Sequence, residues 1–368
     1  MRKRIFKNMD YGIILCVVIL VIIGLVALYS ATQSTNYLEF RKQIRWICIS
    51  IPIMIVIVFI DYETIAKFSP ILYGIVIISL IGVLFMPSIN GANSWYTIKG
   101  TSIQPAEFAK IIVIITVANC ISKMQNNNDR GKKKFFDIVG IITLIIIPIA
   151  LIIKQPDYGT AIAFIVAIMF MIYISGIKKR YIIVCILLVA ILAPVSYLYL
   201  LPEHAKTRID VFLNPNLDPR GAGYNVIQSK LAIGAGEFLG MGILKGNQTQ
   251  LGFLYPKTTD FIFAVIGEEM GFIVAAVVII AYVILITRII YIAKTAKNIL
   301  GSYIAIGIAG IFLFHMMENI GMTMGLLPIT GVPLPFVSYG GSSLLTNFIM
   351  IALLLNISGR RQKAIFVE

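Results

Sequence analysis

Ten separate apolar stretches, each close to twenty residues long, govern what this chain can fold into. They fall at residues 11–30, 44–60, 67–86, 105–123, 136–153, 159–176, 181–200, 261–287, 301–320 and 342–358. A helix needs about 20 apolar residues to cross the hydrocarbon core of a bilayer. Inside lipid every backbone N–H and C=O must be satisfied within the protein, so only helices and closed barrels span. The stretches show no period-two alternation, which removes the barrel. The expected fold class is therefore all-α: a polytopic membrane protein with about ten transmembrane helices. Composition agrees, since 59% of the residues are hydrophobic and 13% charged, against about 25% charged in soluble domains. No linker divides the chain, so residues 1–368 are expected to form a single integral membrane domain.

Charge sets the expected orientation. With the N-terminus inside, the inner segments hold 19 Lys and Arg residues and the short outer loops hold six. Excess basic charge marks cytoplasmic loops. Both termini are then cytoplasmic, and a large loop at about 201–260 faces outward. The Arg41, Lys42 and Arg45 cluster falls on the outer side and runs against the trend. The net charge of +14 is read as topogenic charge beside anionic lipid; nothing resembles a nucleic-acid-binding motif. The basic start and first apolar run lack a small-residue cleavage site, so the first run is expected to be a retained helix. Cys16, Cys48, Cys120 and Cys185 all lie inside apolar stretches without C-x-x-C spacing, which suggests neither a disulfide framework nor a zinc site. Pro52, Pro148 and Pro194 are expected to be packing kinks, and residues 122–134 a flexible inner loop.

Chemistry concentrates in the outward segments. In Gln104-Pro105-Ala106-Glu107-Phe108-Ala109-Lys110, Pro105 suits the first position of a helix and Glu107 its first turn. Glu107 and Lys110 then share a face, either as a salt bridge that lets two charges sit at membrane depth or as a pair that meets an anionic headgroup. Asp157 is placed to cap the sixth helix, with Lys154 as a candidate partner. Asp260 stands at the lip of the eighth stretch. It could cap that helix, but Thr258 and Thr259 could do so as well, which leaves the carboxylate available for chemistry. Glu268 and Glu269 lie two turns deeper and are expected to be structurally paired, as are His315 and Glu318. Arg208, Arg220 and Lys257 are the loop cations available to a phosphate. The Gly234–Gly240 run lacks dinucleotide-binding spacing, and there is neither a Walker A run nor an Asp-x-Asp pair.

Six motifs together resemble the SEDS proteins of bacterial shape, division and sporulation. They are Gly91-Ala92-Asn93-Ser94-Trp95, the 104–110 run, Lys154-Gln155-Pro156-Asp157-Tyr158-Gly159-Thr160, Gly221-Ala222-Gly223-Tyr224-Asn225-Val226-Ile227-Gln228-Ser229, residues 258–263 and residues 333–343. Residues 248–253 and 330–335 look like the RodA-type elongation branch. Many relatives have His where this chain has Thr258, and Ser where it has Ala106. The resemblance implies a glycosyltransferase of the bacterial plasma membrane that polymerises lipid II, a disaccharide-peptide on undecaprenyl diphosphate. It implies Asp260 as general base, Lys110 and Arg208 as stabilisers of the departing diphosphate, and Glu107 and Asp157 in the central cavity. A divalent cation would share the diphosphate's charge, though no ligand set is readable. A class B penicillin-binding protein is the implied partner, with MreC and MreD beyond it. The alternative class is a lipid II flippase or other transporter. Against it, the candidate acids gather at one face and no paired broken helices mark two repeats.

Overall fold

The computed structural model describes residues 6–88, 91–98, 101–126, 132–175, 197, 203–218 and 221–361. The apolar helices of the bundle are α1 (Tyr11–Ala31), α2 (Leu38–Phe59), α4 (Ser69–Val83), α5 (Pro105–Asn126), α6 (Lys132–Lys154), α7 (Tyr158–Ile174), α11 (Ile262–Thr295), α12 (Ile299–Thr323) and α13 (Gly341–Gly359). Among the described residues seven of these are long and apolar enough to cross a membrane; α4 and α7 are shorter apolar helices. The expected stretch 181–200 lies outside the described residues, apart from Tyr197, and so do Cys185 and Pro194. A short helix, α3 (Tyr62–Lys67), follows α2, and a two-stranded antiparallel hairpin, β1 (Tyr96–Ile98) with β2 (Thr101–Ile103), precedes α5.

Burial sorts the helices into centre and rim. In the spanning windows of α5, α12 and α13 78, 72 and 78% of residues are buried, against 17% in α2 and 11% in α6. The rim helices turn large side chains such as Ile55, Val56, Ile142 and Ile146 outward, where lipid tails replace the core that a soluble protein would need. Close approach at the centre uses small residues: Gly310 of α12 lies against the Ala167 backbone of α7, and Gly24 of α1 against Val337. The helix α2 begins six residues earlier than expected. Arg41, Lys42 and Arg45 therefore sit on its first turns rather than in a loop.

Residues 201–260 are not an open loop. The described part contains α8 (Glu203–Leu213), α9 (Ala222–Ala235) and α10 (Asn247–Gln250). The segment is built around a break in α11. That helix runs 34 residues, with Gly271 at φ 76 and ψ −177. Its first portion, Ile262 to Glu269, is buried throughout. The orphaned backbone groups at the break are taken up by the preceding segment. Met241 N–H donates to Glu268 O at 2.9 Å and Gly242 N–H to Glu269 O at 3.0 Å, while Phe272 N–H donates to Glu237 O at 2.9 Å and Ile273 N–H to Phe238 O at 3.3 Å. A broken helix is tolerated at membrane depth only when its freed groups are satisfied in this way.

The two glutamates beside the break complete the clamp, as the expectation of structural pairing held. Glu268 Oε2 accepts from Thr249 N–H at 3.0 Å and Thr249 Oγ1 at 2.6 Å, and its Oε1 accepts from Gln248 N–H at 2.6 Å. Glu269 Oε1 accepts from Gln250 Nε2 at 2.7 Å. The Gly234–Gly240 run thus has a structural purpose. Gly240 (φ 82) lies against Glu269, Gly271 lies against Gly240, and neither has room for a Cβ. The backbone at Gly271 is in a region essentially reserved for glycine. Gly271→Val is expected to lose at least ~3 kcal/mol through strain and steric conflict, seen as a drop in the thermal midpoint in detergent. Gly74→Ala, where nothing lies within 4 Å of the added Cβ, should leave the midpoint unchanged or higher.

Candidate active site

The site is assembled around the turn that follows α12, residues 328–335. One face of α12 carries His315, Glu318 and Asn319 at spacings of three and four, so all three point at this turn. Asn319 Nδ2 donates to Val332 O at 2.9 Å and to Asp260 O at 3.0 Å. Glu318 Oε1 accepts from Thr330 Oγ1 at 2.8 Å. His315 Nδ1 lies 3.1 Å from Pro333 O, and its Nε2 lies 3.1 Å from Lys110 Nζ. The His315–Glu318 pair expected from the sequence is thus not formed; each residue has its own partner on the turn. Lys110 Nζ, paired with Glu107, donates to Nε2. Neutral His315, protonated on Nδ1, satisfies both contacts.

Asp260 sits directly before the buried first portion of α11. The residue at the cap position is Phe261, and no side chain caps the helix. The carboxylate is therefore spared the capping role that the sequence left open. It faces the turn: a Cβ on Gly331 would come within 3.4 Å of Asp260 Oδ2. Among the described residues no salt bridge reaches Asp260. Desolvation pushes its carboxyl above the ordinary aspartate value, and a hydrogen bond from Thr259 and the positive charge of Arg208 act in the opposite direction. Arg208, from α8, reaches the same turn, its Nη1 donating to Thr330 O at 3.3 Å. Asp260 and Arg208 are both only part-buried. An acid and a cation thus flank Thr330 and Gly331.

Behind them the turn rests on α7. Gly159 packs against Val332 and Thr330 with no room for a Cβ. Asp157 caps α7 as expected, accepting from Thr160 N–H at 3.1 Å. Its other oxygen is held by Gln104 Nε2 at 2.6 Å, so Gln104 takes the place that the sequence offered to Lys154. Gln104 N–H lies 3.3 Å from Ser342 Oγ, tying this acid to the start of α13. Burial also raises the Asp157 carboxyl; the Thr160 hydrogen bonds oppose this, Glu107 adds to it and Lys110 opposes it.

Glu107 and Lys110 form the expected pair one helical turn along α5. Lys110 Nζ is 2.9 Å from Glu107 Oε1, with side chains 0% and 2% exposed. Thr346 Oγ1 of α13 donates to Glu107 Oε2 at 3.1 Å. Both charges are sealed inside the bundle, so in this conformation Lys110 does not reach a surface open to a headgroup. Lys257 donates to Thr249 O at 2.8 Å, and Arg220 lies outside the described residues. Among the described residues no group of three or more His, Cys, Asp or Glu side chains could hold a metal ion.

Sequence reasoning missed Asn319, Gln104 and Thr346. Their side chains join separate elements, and nothing local in the chain marks such a role for Gln104 or Thr346. The one local signal for Asn319 was its place four residues after His315 on an apolar helix. Asn319→Ala removes both donations and is expected to lower catalytic turnover by about tenfold through displacement of Asp260. Steady-state assays should show this in kcat more than in KM.

Known proteins resemble this chain over nearly its whole length. The family model for the cell cycle proteins FtsW, RodA and SpoVE matches residues 11–363. Peptidoglycan glycosyltransferase MrdB of Escherichia coli strain K12 is 35% identical over 357 residues, covering 96% of this chain and 95% of its own. Peptidoglycan glycosyltransferase RodA of Treponema pallidum strain Nichols is 32% identical over 437 residues, covering 98% and 100%. A chain from a solved peptidoglycan synthase complex that coordinates polymerization and crosslinking superposes with a TM-score of 0.81 at 25% identity, covering 95% of this chain and 97% of that one.

Proposed function

Because the chain belongs to the FtsW/RodA/SpoVE family of membrane proteins, we propose that it is a peptidoglycan glycosyltransferase that polymerises lipid II, with Asp260 as its general base. In this reading the 4-hydroxyl of one GlcNAc attacks C1 of MurNAc on a second lipid II. The C1–O bond to the diphosphate breaks, undecaprenyl diphosphate departs with the bonding pair, and the hydroxyl proton passes to Asp260. A diphosphate leaves without a protonating acid, so one base suffices where glycosidases use two carboxylates.

One observation carries the assignment: Asp260 is part-buried at the Gly331 turn, not capping its helix and, among the described residues, not salt-bridged, with Arg208 anchored on the same turn. A base needs an unspent carboxylate, and a departing diphosphate needs a preorganised cation. Arg208 is the residue we assign to diphosphate contact. Lys110 supplies a buried positive charge that acts on Asp157, and Glu107 holds it in place. The partner is a transpeptidase of the class B penicillin-binding type, and MreC and MreD fit the same elongation assembly. On this reading the 201–260 side faces outward and both termini are cytoplasmic.

The test gives purified protein, together with its synthase partner, lipid II in detergent and resolves products by gel. Glycan ladders are expected. Lipid II that crosses reconstituted vesicles without any polymer would instead establish a transporter.

A further inference from the structure

The end of α11 remote from Asp260 carries an unassigned basic recess. Its volume is about 290 Å³, and its walls include Asp10, Gly12, Arg288, Tyr291 and Arg361. Three helix ends meet there: the start of α1, the last turns of α11 and the residues just past α13. Arg361 stacks on Tyr291, its guanidinium carbon 5.6 Å from the ring centroid. Arg361 Nη1 is buried and has no hydrogen-bond partner among the described residues. Arg288 lies along the first turn of α1, where a Cβ on Gly12 would come within 3.1 Å of its Nε. It is 51% exposed, and its closest acid is Asp10 at 3.8 Å, too far for a hydrogen bond.

The Asp10 carboxylate is already committed. Its Oδ1 accepts from Gly12 N–H at 3.1 Å as the cap of α1. It offsets one of the two positive charges without satisfying the donors of either guanidinium. Two guanidiniums thus line one cavity, with no carboxylate hydrogen bond to either among the described residues, beside the positive end of a 21-residue helix. The planar fork of Arg matches two oxygens of a phosphate. Arg361 Nη1 left buried without a partner costs about 1–3 kcal/mol, and Arg288, half exposed at the mouth, keeps its donors open, so the recess suits an anion that supplies oxygen acceptors. Basic pockets between helix ends are also where membrane proteins hold anionic headgroups.

We propose that Arg288 and Arg361 form a binding site for a phosphate group, carried by a phospholipid headgroup or by a soluble phosphate, separate from the site at Asp260. Full-length protein in neutral detergent would be titrated calorimetrically with dihexanoyl phosphatidylglycerol and, separately, with inorganic phosphate. Saturable binding of one molecule per chain is expected. Binding of the lipid alone identifies a headgroup site; binding of inorganic phosphate, with or without the lipid, shows that bare phosphate suffices. Arg288→Gln and Arg361→Gln should each weaken binding about tenfold, and the double variant should abolish it, while Arg45→Gln on α2 binds as the native chain does.

A second measurement uses only native protein. Arginine-selective modification by phenylglyoxal, mapped by mass spectrometry, should be slowed at Arg288 and Arg361 by the bound probe and unchanged at Arg45. No saturable binding of either probe, native affinity in the double variant, or no protection at the two arginines would each overturn the proposal.

Discussion

Asp260→Asn is expected to abolish glycan synthesis while leaving the protein folded. A positioned general base contributes about 10²–10⁴ in rate, so ladders from lipid II should vanish at enzyme levels where the native chain exhausts its substrate. Asn keeps the shape of Asp and loses the charge. The native carboxyl is raised by desolvation, so the folded protein holds this proton more tightly than the unfolded chain does. Ionising it therefore costs stability: the contribution is fully present below the unfolded value and lost as pH rises through the folded one. Above that window a neutral Asn is at least as well accommodated as the carboxylate. The variant's thermal midpoint near neutral pH should thus match or exceed the native one while its activity disappears. An Asn variant that polymerises normally removes Asp260 from the chemistry, and one that fails only because it unfolds gives Asp260 a structural role.

Lys110→Met should produce the largest loss of stability. The ammonium is fully buried, 2.9 Å from Glu107 Oε1 and 3.1 Å from His315 Nε2. Removing it strands a buried carboxylate whose remaining partner is Thr346, and breaking a buried pair from one side costs about 3–5 kcal/mol. The double variant Glu107→Gln/Lys110→Met removes both charges and should recover more than half of that loss. Denaturation midpoints in detergent for the two singles and the double give the coupling directly. A double variant that loses the sum of the two single losses would mean that the pair contributes nothing. Polymerisation should fall in both, because the positive charge that acts on Asp157 is gone in each.

The nine apolar stretches within the described residues were readable because lipid imposes one rule along the chain, although α2 starts six residues ahead of its stretch. Pro105 opened α5, Asp157 capped α7, and the Glu107–Lys110 spacing of three gave a salt bridge. Asp260 was legible as an acid at a helix lip. What the sequence did not reveal was which groups meet across the bundle. The partner of Asp157 is Gln104, 53 residues away, and the partner of His315 is Lys110, 205 residues away. The polar 201–260 segment read as a loop because its short helices have mixed faces and its glycines suggest turns. Those glycines instead let the backbone approach the break at Gly271. That contact is specified by two distant stretches together, and neither stretch shows it alone.

The pH dependence of single-turnover polymerisation tests the central claim most directly. A base must be ionised to act, so the rate should fall along one acid limb as pH drops through the Asp260 value, above the ordinary range for an aspartate. The positive charge of Arg208 lowers that value, so Arg208→Gln should move the limb to higher pH as well as reducing the plateau. A native rate with no acid limb, or a limb that Arg208→Gln leaves in place or moves to lower pH, would contradict Asp260 as the base.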